Sequence, residues 1–285
     1  MDTSEQIAGL GDIFGRYKVI LTDAYGVLHD GRQVFPGVND ALRRARAEGK
    51  IVVVVTNSPQ RIDGTVHRLA SVGVEHECYD HIATSGELTW RDLESRNRAR
   101  GALPRVHFIL QGSGVRWLGE VRNERVAAMD DAEIIIAAGM PYGTEPEALA
   151  SPMIAQLSRA AAKSVPMLVA DSDETYPENG MVRLGPGWIA KHYEKLGGVI
   201  TEYGKPFDPI YDLAIELAGS VAPHEVLMIG DNLKTDIRGA VRRGYDSMMV
   251  LEGGVHGWLS PAELAAFSAD VGVAPTYVAP SLRWL

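Results

Sequence analysis

The chain has little of what marks secreted, membrane-spanning or nucleic-acid-binding proteins. It contains one cysteine, Cys78, among 285 residues, so no disulfide forms within it and the reducing cytoplasm is the expected compartment. No apolar run approaches the roughly 20 residues of a membrane span, and the N-terminal residues lack the basic-then-apolar pattern of a signal peptide. With 37 acidic against 28 basic side chains, the net charge of −9 argues against binding to duplex nucleic acid or to an anionic membrane surface.

The remaining composition is that of a globular protein, with 46% hydrophobic and 23% charged residues. Short runs rich in Val and Ile alternate with longer stretches of helical spacing, a pattern typical of parallel strands joined by helices. The sequence therefore predicts an α/β fold. The predicted strands are 19–21, 51–55, 106–110, 134–138, 167–169, 226–229, 248–251 and 277–278.

Two turn-rich stretches interrupt this alternation. One lies around Thr84 to Glu87, and the other runs from Asp171 to Gly187 with acidic residues, glycines and prolines. We expect both to be loops, and we expect them to frame an insert.

Four polar segments each follow a predicted strand or precede a helix, at the places where α/β proteins bind ligands. They are TDAYGVLHDG with Asp23, TNSP with Thr56, GKP with Lys205, and GDNLKTD with Asp231 and Asp236. A strand-end Asp by itself often only caps a turn, so the prediction depends on the segments meeting in one crevice.

Three carboxylates in one crevice repel one another unless a cation lies between them. Oxygen ligands of this kind suit Mg²⁺. With Lys205 and the Thr56 hydroxyl nearby, the same crevice suits an anionic phosphoryl group, which Asp23 is then free to attack.

In this order and context the segments resemble the haloacid dehalogenase (HAD) superfamily of hydrolases. Thr56 follows Asp23 by only 33 positions, too few for an inserted domain, whereas Lys205 follows Thr56 by 149. This spacing, with HDG after the first motif and YGKP at the lysine, is similar to class IIA, which includes sugar-phosphate, pyridoxal-phosphate and nitrophenylphosphate phosphatases. The resemblance implies a Rossmann-like three-layer core of residues 1–84 and 204–285 around an α/β cap of residues 85–203.

The resemblance also implies the roles of the site residues. Asp23 is the nucleophile that forms an aspartyl phosphate, and Thr56, Asn57 and Lys205 hold the phosphoryl group of a small phosphorylated metabolite. The Mg²⁺ ligands are Asp23, Asp231 and the carbonyl oxygen of Tyr25, supported by Asp236. Family members carry an Asn-Pro-Asp loop near the end of the cap. Here Asp171 and Asp173 stand in that loop as candidate specificity residues.

The sequence departs from the family at Tyr25, where phosphatases carry a second aspartate that protonates the leaving group and activates water. Loss of a general acid/base costs 10²- to 10⁴-fold in rate, or about 3 to 5.5 kcal/mol. Tyr25 can donate a proton, but it is a poor base at neutral pH. Two alternatives stay open: a substrate with a good leaving group, or substitution by His29 or Asp30, which are otherwise turn residues.

Tyr25 also leaves two other functions open. One is a phosphate-binding module whose turnover is impaired. The other is a 2-haloacid dehalogenase, because DAYG resembles the first motif of those enzymes. The late cap and the GDNLKTD metal motif favour the phosphatase. In the cap, a predicted helix carries Trp188, His192 and Tyr193. These residues pack in the core, form a cap-to-cap contact in a homodimer, or contact the substrate.

Overall fold

The computed structural model describes residues 4–100, 102–110, 121–140, 146–178 and 181–285. The chain divides into two compact units. The first comprises the chain up to residue 56, residues 65–83 and the chain from residue 205 onward, and the second comprises residues 57–64 and 84–204. None of the described helices is long and apolar enough to cross a membrane.

The described strands and helices alternate along most of the chain. The strands are β1 (Glu5–Gln6), β2 (Val19–Thr22), β3 (Ile51–Thr56), β4 (His81–Thr84), β5 (Arg105–Ile109), β6 (Glu124–Arg125), β7 (Ile134–Ala137), β8 (Met167–Val169), β9 (Thr175–Glu178), β10 (Met181–Leu184), β11 (Ile200–Glu202), β12 (Val226–Gly230), β13 (Asp246–Val250) and β14 (Tyr277–Ala279). The helices are α1 (Val38–Ala47), α2 (Ile62–Ser71), α3 (Ser85–Arg100), α4 (Pro146–Ala162), α5 (Pro186–Lys195), α6 (Asp208–Ala218), α7 (Arg238–Arg243) and α8 (Pro261–Val271).

A seven-stranded sheet organises the first unit, in the order β1-β14-β13-β12-β2-β3-β4. The central pairs are parallel, and Thr22 of β2 lies opposite Ile229 of β12 on one side and Val54 of β3 on the other. Residues 52–56 of β3 and the whole of β12 are buried, as parallel strands covered on both faces require. The predicted α/β class with a parallel sheet is confirmed. This register brings the ends of β2, β3 and β12 to one edge.

The second unit has its own parallel sheet, in the order β11-β8-β7-β5-β6, and an antiparallel hairpin of β9 and β10. Tyr193 of α5 is fully buried in its apolar core and donates a 2.5 Å hydrogen bond to the carbonyl oxygen of Val165. Trp188 is partly buried against the same core, and its ring lies 3.7 Å from that of His192. Of the interpretations offered for this helix, core packing holds for Tyr193.

Neither turn-rich stretch is wholly a loop. Thr84 ends β4 and Ser85 begins α3, because the hydroxyl of Thr84 accepts the backbone N–H of Glu87 at 2.9 Å and so caps the helix. Asp171 to Gly187 contains the hairpin β9–β10 and the first turn of α5. The polar residues that suggested loops therefore cap helices and flank short strands.

Candidate active site

Three aspartates meet at the carboxyl edge of the first unit's sheet. Asp23 directly follows β2, Asp231 directly follows β12, and Asp236 lies in a single π-helical turn, Leu233–Ile237. One carboxylate oxygen from each lies within 4.8 Å of the others. The cluster that the sequence predicted is therefore gathered by the register of the sheet.

Lys205 joins two of these carboxylates. Its side chain is only 2% exposed, and its Nζ lies 2.6 Å from Oδ1 of Asp23 and 2.7 Å from Oδ1 of Asp236. A buried ammonium needs such partners, and the carboxylates need it equally. The lysine thus fixes the positions of both acids.

Asp236 also holds the loop that follows β12. Its Oδ2 accepts the backbone N–H groups of Asp231 and Asn232, each at 3.1 Å. A Cβ on Gly230 would come within 2.2 Å of the Asp236 Cβ, so only glycine permits this approach. Asp236 consequently shapes the loop that presents Asp231.

Burial and mutual repulsion keep two of the acids from ionising freely. The pKa of Asp231 is raised well above its ordinary value, first by burial and then by the negative charges of Asp23 and Asp236. Burial also raises the pKa of Asp236 to about 6, against the lowering effect of Lys205. If all three acids were ionised, the cluster would carry more negative charge than Lys205 alone compensates.

The loop after β2 is built for close approach to Asp231. Gly26 has a φ of +83°, and a Cβ there would lie 2.4 Å from Oδ2 of Asp231. Both facts restrict the position to glycine. Asp23 is fixed as well, because its backbone N–H donates to the carbonyl oxygen of Ile229 at 2.9 Å and its Oδ1 accepts the N–H of Ala24 at 2.7 Å.

Tyr25 is 37% exposed at this edge. Its ring lies against Gly31, where a Cβ would meet the tyrosine Cε2 at 2.9 Å. His29 approaches the ring edge-on, with the ring centroids 5.7 Å apart. The second carboxylate of the usual first motif is thus replaced by a packed aromatic ring.

The two residues proposed as substitutes for that carboxylate serve the turn. Oδ1 of Asp30 accepts the backbone N–H groups of Arg32 and Gln33, each at 2.8 Å. Nδ1 of His29 accepts the N–H of Gly31 at 2.9 Å, and burial, aided by the charge of Arg68, lowers the pKa of His29 to about 4. His29 is accordingly neutral at physiological pH.

A loop that the sequence analysis did not assign to the site reaches Asp231. The backbone N–H of Val255 donates to Oδ2 of Asp231 at 2.8 Å, and a Cβ on Gly254 would lie 2.5 Å from the Asp231 Cβ. Trp258, 76% exposed, donates its indole N–H to the carbonyl oxygen of Val255 at 3.0 Å. The signal in the sequence was the glycine pair of EGGVHGW directly after a strand.

The remaining predicted residues fall on both sides of the boundary at residue 56. Thr56 ends β3 in the first unit and is 7% exposed. Asn57, 4% exposed, begins the 57–64 segment of the second unit, and its Nδ2 donates to Oδ1 of Asp173 at 3.0 Å. Oδ1 of Asp171 accepts the backbone N–H of Asp173 at 2.9 Å. The structure therefore pairs Asp173 with Asn57.

The acidic cluster fits a hard divalent cation. Its donors are carboxylate oxygens, two of the three acids are at most 2% exposed, and the three carboxylates outnumber the one ammonium, Lys205, that bridges Asp23 and Asp236. A parallel sheet whose strand ends bring together an Asp, a buried Lys and a metal-type acid cluster defines a class of hydrolases with a Rossmann-like core.

Comparison with known proteins agrees with this class. The family described as haloacid dehalogenase-like hydrolase matches residues 20–116, and the one described as HAD-hydrolase-like matches residues 202–285. Human chronophin is 27% identical over 96% of this chain and 94% of its own length. The crystal structure of a haloacid dehalogenase-like hydrolase from Brucella suis is 29% identical, covers 97% of this chain and 99% of its own, and has a TM-score of 0.81.

A glycerol phosphate phosphatase from Mycobacterium tuberculosis, solved in complex with magnesium, shares the fold. It is 22% identical, with a TM-score of 0.66 over 96% of this chain and 78% of its own. The chain belongs to the haloacid dehalogenase superfamily of hydrolases, in its class IIA branch.

Proposed function

We propose that this protein is a Mg²⁺-dependent phosphatase of a small phosphorylated metabolite, acting through an aspartyl phosphate on Asp23. The observation that carries the proposal is the position of Asp23, which lies 2.6 Å from the buried ammonium of Lys205 and within 4.8 Å of two further carboxylates. Structural neighbours named as phosphatases support the same chemistry.

In the proposed reaction, a carboxylate oxygen of Asp23 forms a bond to phosphorus while the bond from phosphorus to the leaving oxygen breaks. Water then attacks the aspartyl phosphate, which releases inorganic phosphate and restores the carboxylate. Lys205, whose ammonium lies 2.6 Å from Asp23, binds the phosphoryl oxygens together with Thr56 and Asn57.

Mg²⁺ would be held by Asp23, Asp231 and the carbonyl oxygen of Tyr25, with Asp236 supporting the loop that carries Asp231. When bound, it supplies positive charge against the negative charge of the phosphoryl group. The ionised forms of Asp231 and Asp236 are then stabilised, which burial alone disfavours.

Tyr25 determines which substrates turn over quickly. With Asp30 and His29 both engaged in the turn, no carboxylate stands in for the usual general acid within the 23–33 segment. We therefore expect good turnover only for esters whose leaving group needs little protonation. The same observation supports the second candidate function, a phosphate-binding module with impaired turnover.

The deciding experiment measures steady-state hydrolysis of p-nitrophenyl phosphate with Mg²⁺ by wild type, Asp23→Asn and Tyr25→Asp. Asp270→Asn, an exposed acid in α8, is the matched control. If the protein is a phosphatase, wild type and Asp270→Asn hydrolyse the ester at similar rates and Asp23→Asn does not hydrolyse it. An Asp23→Asn protein as active as wild type overturns the assigned nucleophile.

Two further arms separate the alternatives. If wild type is inert and Tyr25→Asp is active, the protein is the phosphate-binding module with impaired turnover. If wild type is active, Tyr25→Asp should hydrolyse an alkyl phosphate roughly 10²-fold faster or more. Release of halide from 2-haloacids that persists with a chelator identifies a dehalogenase. A cytoplasmic location and a homodimer through the cap stay predictions.

A further inference from the structure

The side chains of Asn57, which is buried, and Asp173, which is half-buried, form a hydrogen-bonded pair within the second unit. Nδ2 of Asn57 donates to Oδ1 of Asp173 at 3.0 Å, although 116 positions separate the two residues in the chain. Asn57 is 4% exposed and directly follows Thr56, the last residue of β3. The bond matters most for Asn57, because loss of Asp173 would leave an N–H of its buried amide unsatisfied.

Asp173 is itself held by its own loop. Its backbone N–H donates to Oδ1 of Asp171 at 2.9 Å, and its carbonyl oxygen accepts the N–H of Gly187 at 3.1 Å. A Cβ on Gly185 would lie 2.0 Å from that carbonyl oxygen, so the start of α5 packs directly on the loop. The carboxylate is therefore presented to Asn57 from a rigid support.

The opposite side of the Asn57 amide is enclosed as well. A Cβ on Gly204 would lie 2.4 Å from Oδ1 of Asn57, so only glycine lets the backbone come this close. With Nδ2 turned to Asp173 and Oδ1 turned to Gly204, the amide has one orientation. The residue after Gly204 is Lys205.

The rest of the 57–64 segment is anchored in the same unit. The backbone N–H of Gly86 donates to the carbonyl oxygen of Ser58 at 3.1 Å. Nε of Arg61 lies 2.9 Å from Oε2 of Glu87, and its guanidinium carbon lies 3.7 Å from the centre of the Trp90 ring. The segment that continues the chain from Thr56 is thus fixed along its length, with Asp173 as its first anchor.

We infer that Asp173 is a positioning residue, which orients Asn57 for phosphoryl binding and does not read the rest of the substrate. The inference rests on the proposed function and goes beyond it, since the sequence had placed Asp173 among the specificity residues. The two roles differ in a measurable way. A positioning residue affects every substrate equally because all share the phosphoryl group, whereas a specificity residue affects substrates according to their leaving groups.

The experiment compares Asp173→Ala, Asp173→Asn, Asn57→Ala and the double alanine variant, with the exposed cap residue Asp131→Ala as the matched control. We expect Asp173→Ala to raise KM for p-nitrophenyl phosphate, KM for an alkyl phosphate and the inhibition constant of inorganic phosphate by one common factor, about tenfold. Asp173→Asn keeps an acceptor for Asn57 and restores most of the affinity. The double variant is no worse than Asn57→Ala, and Asp131→Ala behaves as wild type.

Losses of affinity that differ between substrates, or that add in the double variant, overturn the inference.

Thermal unfolding is measured for each variant, and Asp173→Ser replaces Asp173→Ala if the latter does not fold. The side-chain amide resonance of Asn57 in a ¹⁵N–¹H NMR spectrum tests the pair without turnover. We expect this resonance to shift in Asp173→Ala and not in Asp131→Ala. If it stays unshifted in Asp173→Ala, the pairing is refuted. A wild type inactive on phosphate esters defeats the proposed function, while this resonance still decides the pairing.

Discussion

The backbone N–H of Val255 donates a 2.8 Å hydrogen bond to Oδ2 of Asp231, which ties the loop after β13 to the acidic cluster. Gly254 makes this possible, because a Cβ there would lie 2.5 Å from the Asp231 Cβ. We expect Gly254→Ala to displace the carboxylate and weaken Mg²⁺ binding about 10- to 100-fold, as measured by calorimetric titration. Gly15→Ala, where a Cβ meets nothing within 4 Å, is the control and should bind Mg²⁺ as wild type does. Equal affinities in both variants would show that the loop does not hold Asp231.

Replacing Lys205 by Met leaves Asp23 and Asp236 without their shared cation. Because the lysine and Asp236 are buried, we expect a loss of about 3 to 5 kcal/mol in the free energy of unfolding, together with loss of activity. Chemical denaturation without Mg²⁺ measures the first effect. Lys18→Met removes a surface ion pair with Glu225 in which the lysine is 72% exposed, so it should cost about 1 kcal/mol or less. Similar costs for the two variants contradict the structural role of Lys205.

Mg²⁺ binding should strengthen as the pH rises through about 6. The pKa of Asp236 is raised from 3.8 to about 6, so the folded, metal-free protein favours the neutral carboxyl group. The stability that this group contributes is fully present below pH 3.8 and is lost as the pH rises through about 6. Mg²⁺ favours the ionised acids, so the rise in melting temperature that it causes should be larger at pH 7.5 than at pH 5. Asp236→Asn should reduce this difference, and a rise independent of pH would contradict the raised pKa.

Acid should destabilise the protein through His29. The pKa of this buried imidazole is lowered from 6.5 to about 4, so the unfolded chain takes up a proton in that window while the folded chain does not. The free energy of unfolding therefore falls as the pH drops from 6.5 to about 4, by at most about 3 kcal/mol. His29→Asn keeps an acceptor for the N–H of Gly31 and should flatten this part of the curve, whereas the exposed His224→Asn should leave it unchanged.

Much of the fold was predictable because burial in a parallel sheet leaves a local pattern. The Val- and Ile-rich runs that form β3 and β12 could be found by reading along the chain. The short strands β9 and β10 carry no such run, so the sequence pattern there predicts a loop. Around Thr84 the pattern predicts a turn, because the residue types that cap helices are also the ones that favour loops.

The class of fold, the family and the identity of the acids at the sheet edge can be inferred from the amino-acid sequence alone. Each depends on residues that are neighbours in the chain or that directly follow a strand. What these residues contact cannot be inferred in this way. Lys205 bridges Asp23 and Asp236, Val255 fixes Asp231, and Asp173 pairs with Asn57. Such contacts join distant parts of the chain, so they depend on strand register and on how closely glycine backbones approach, which no local pattern encodes.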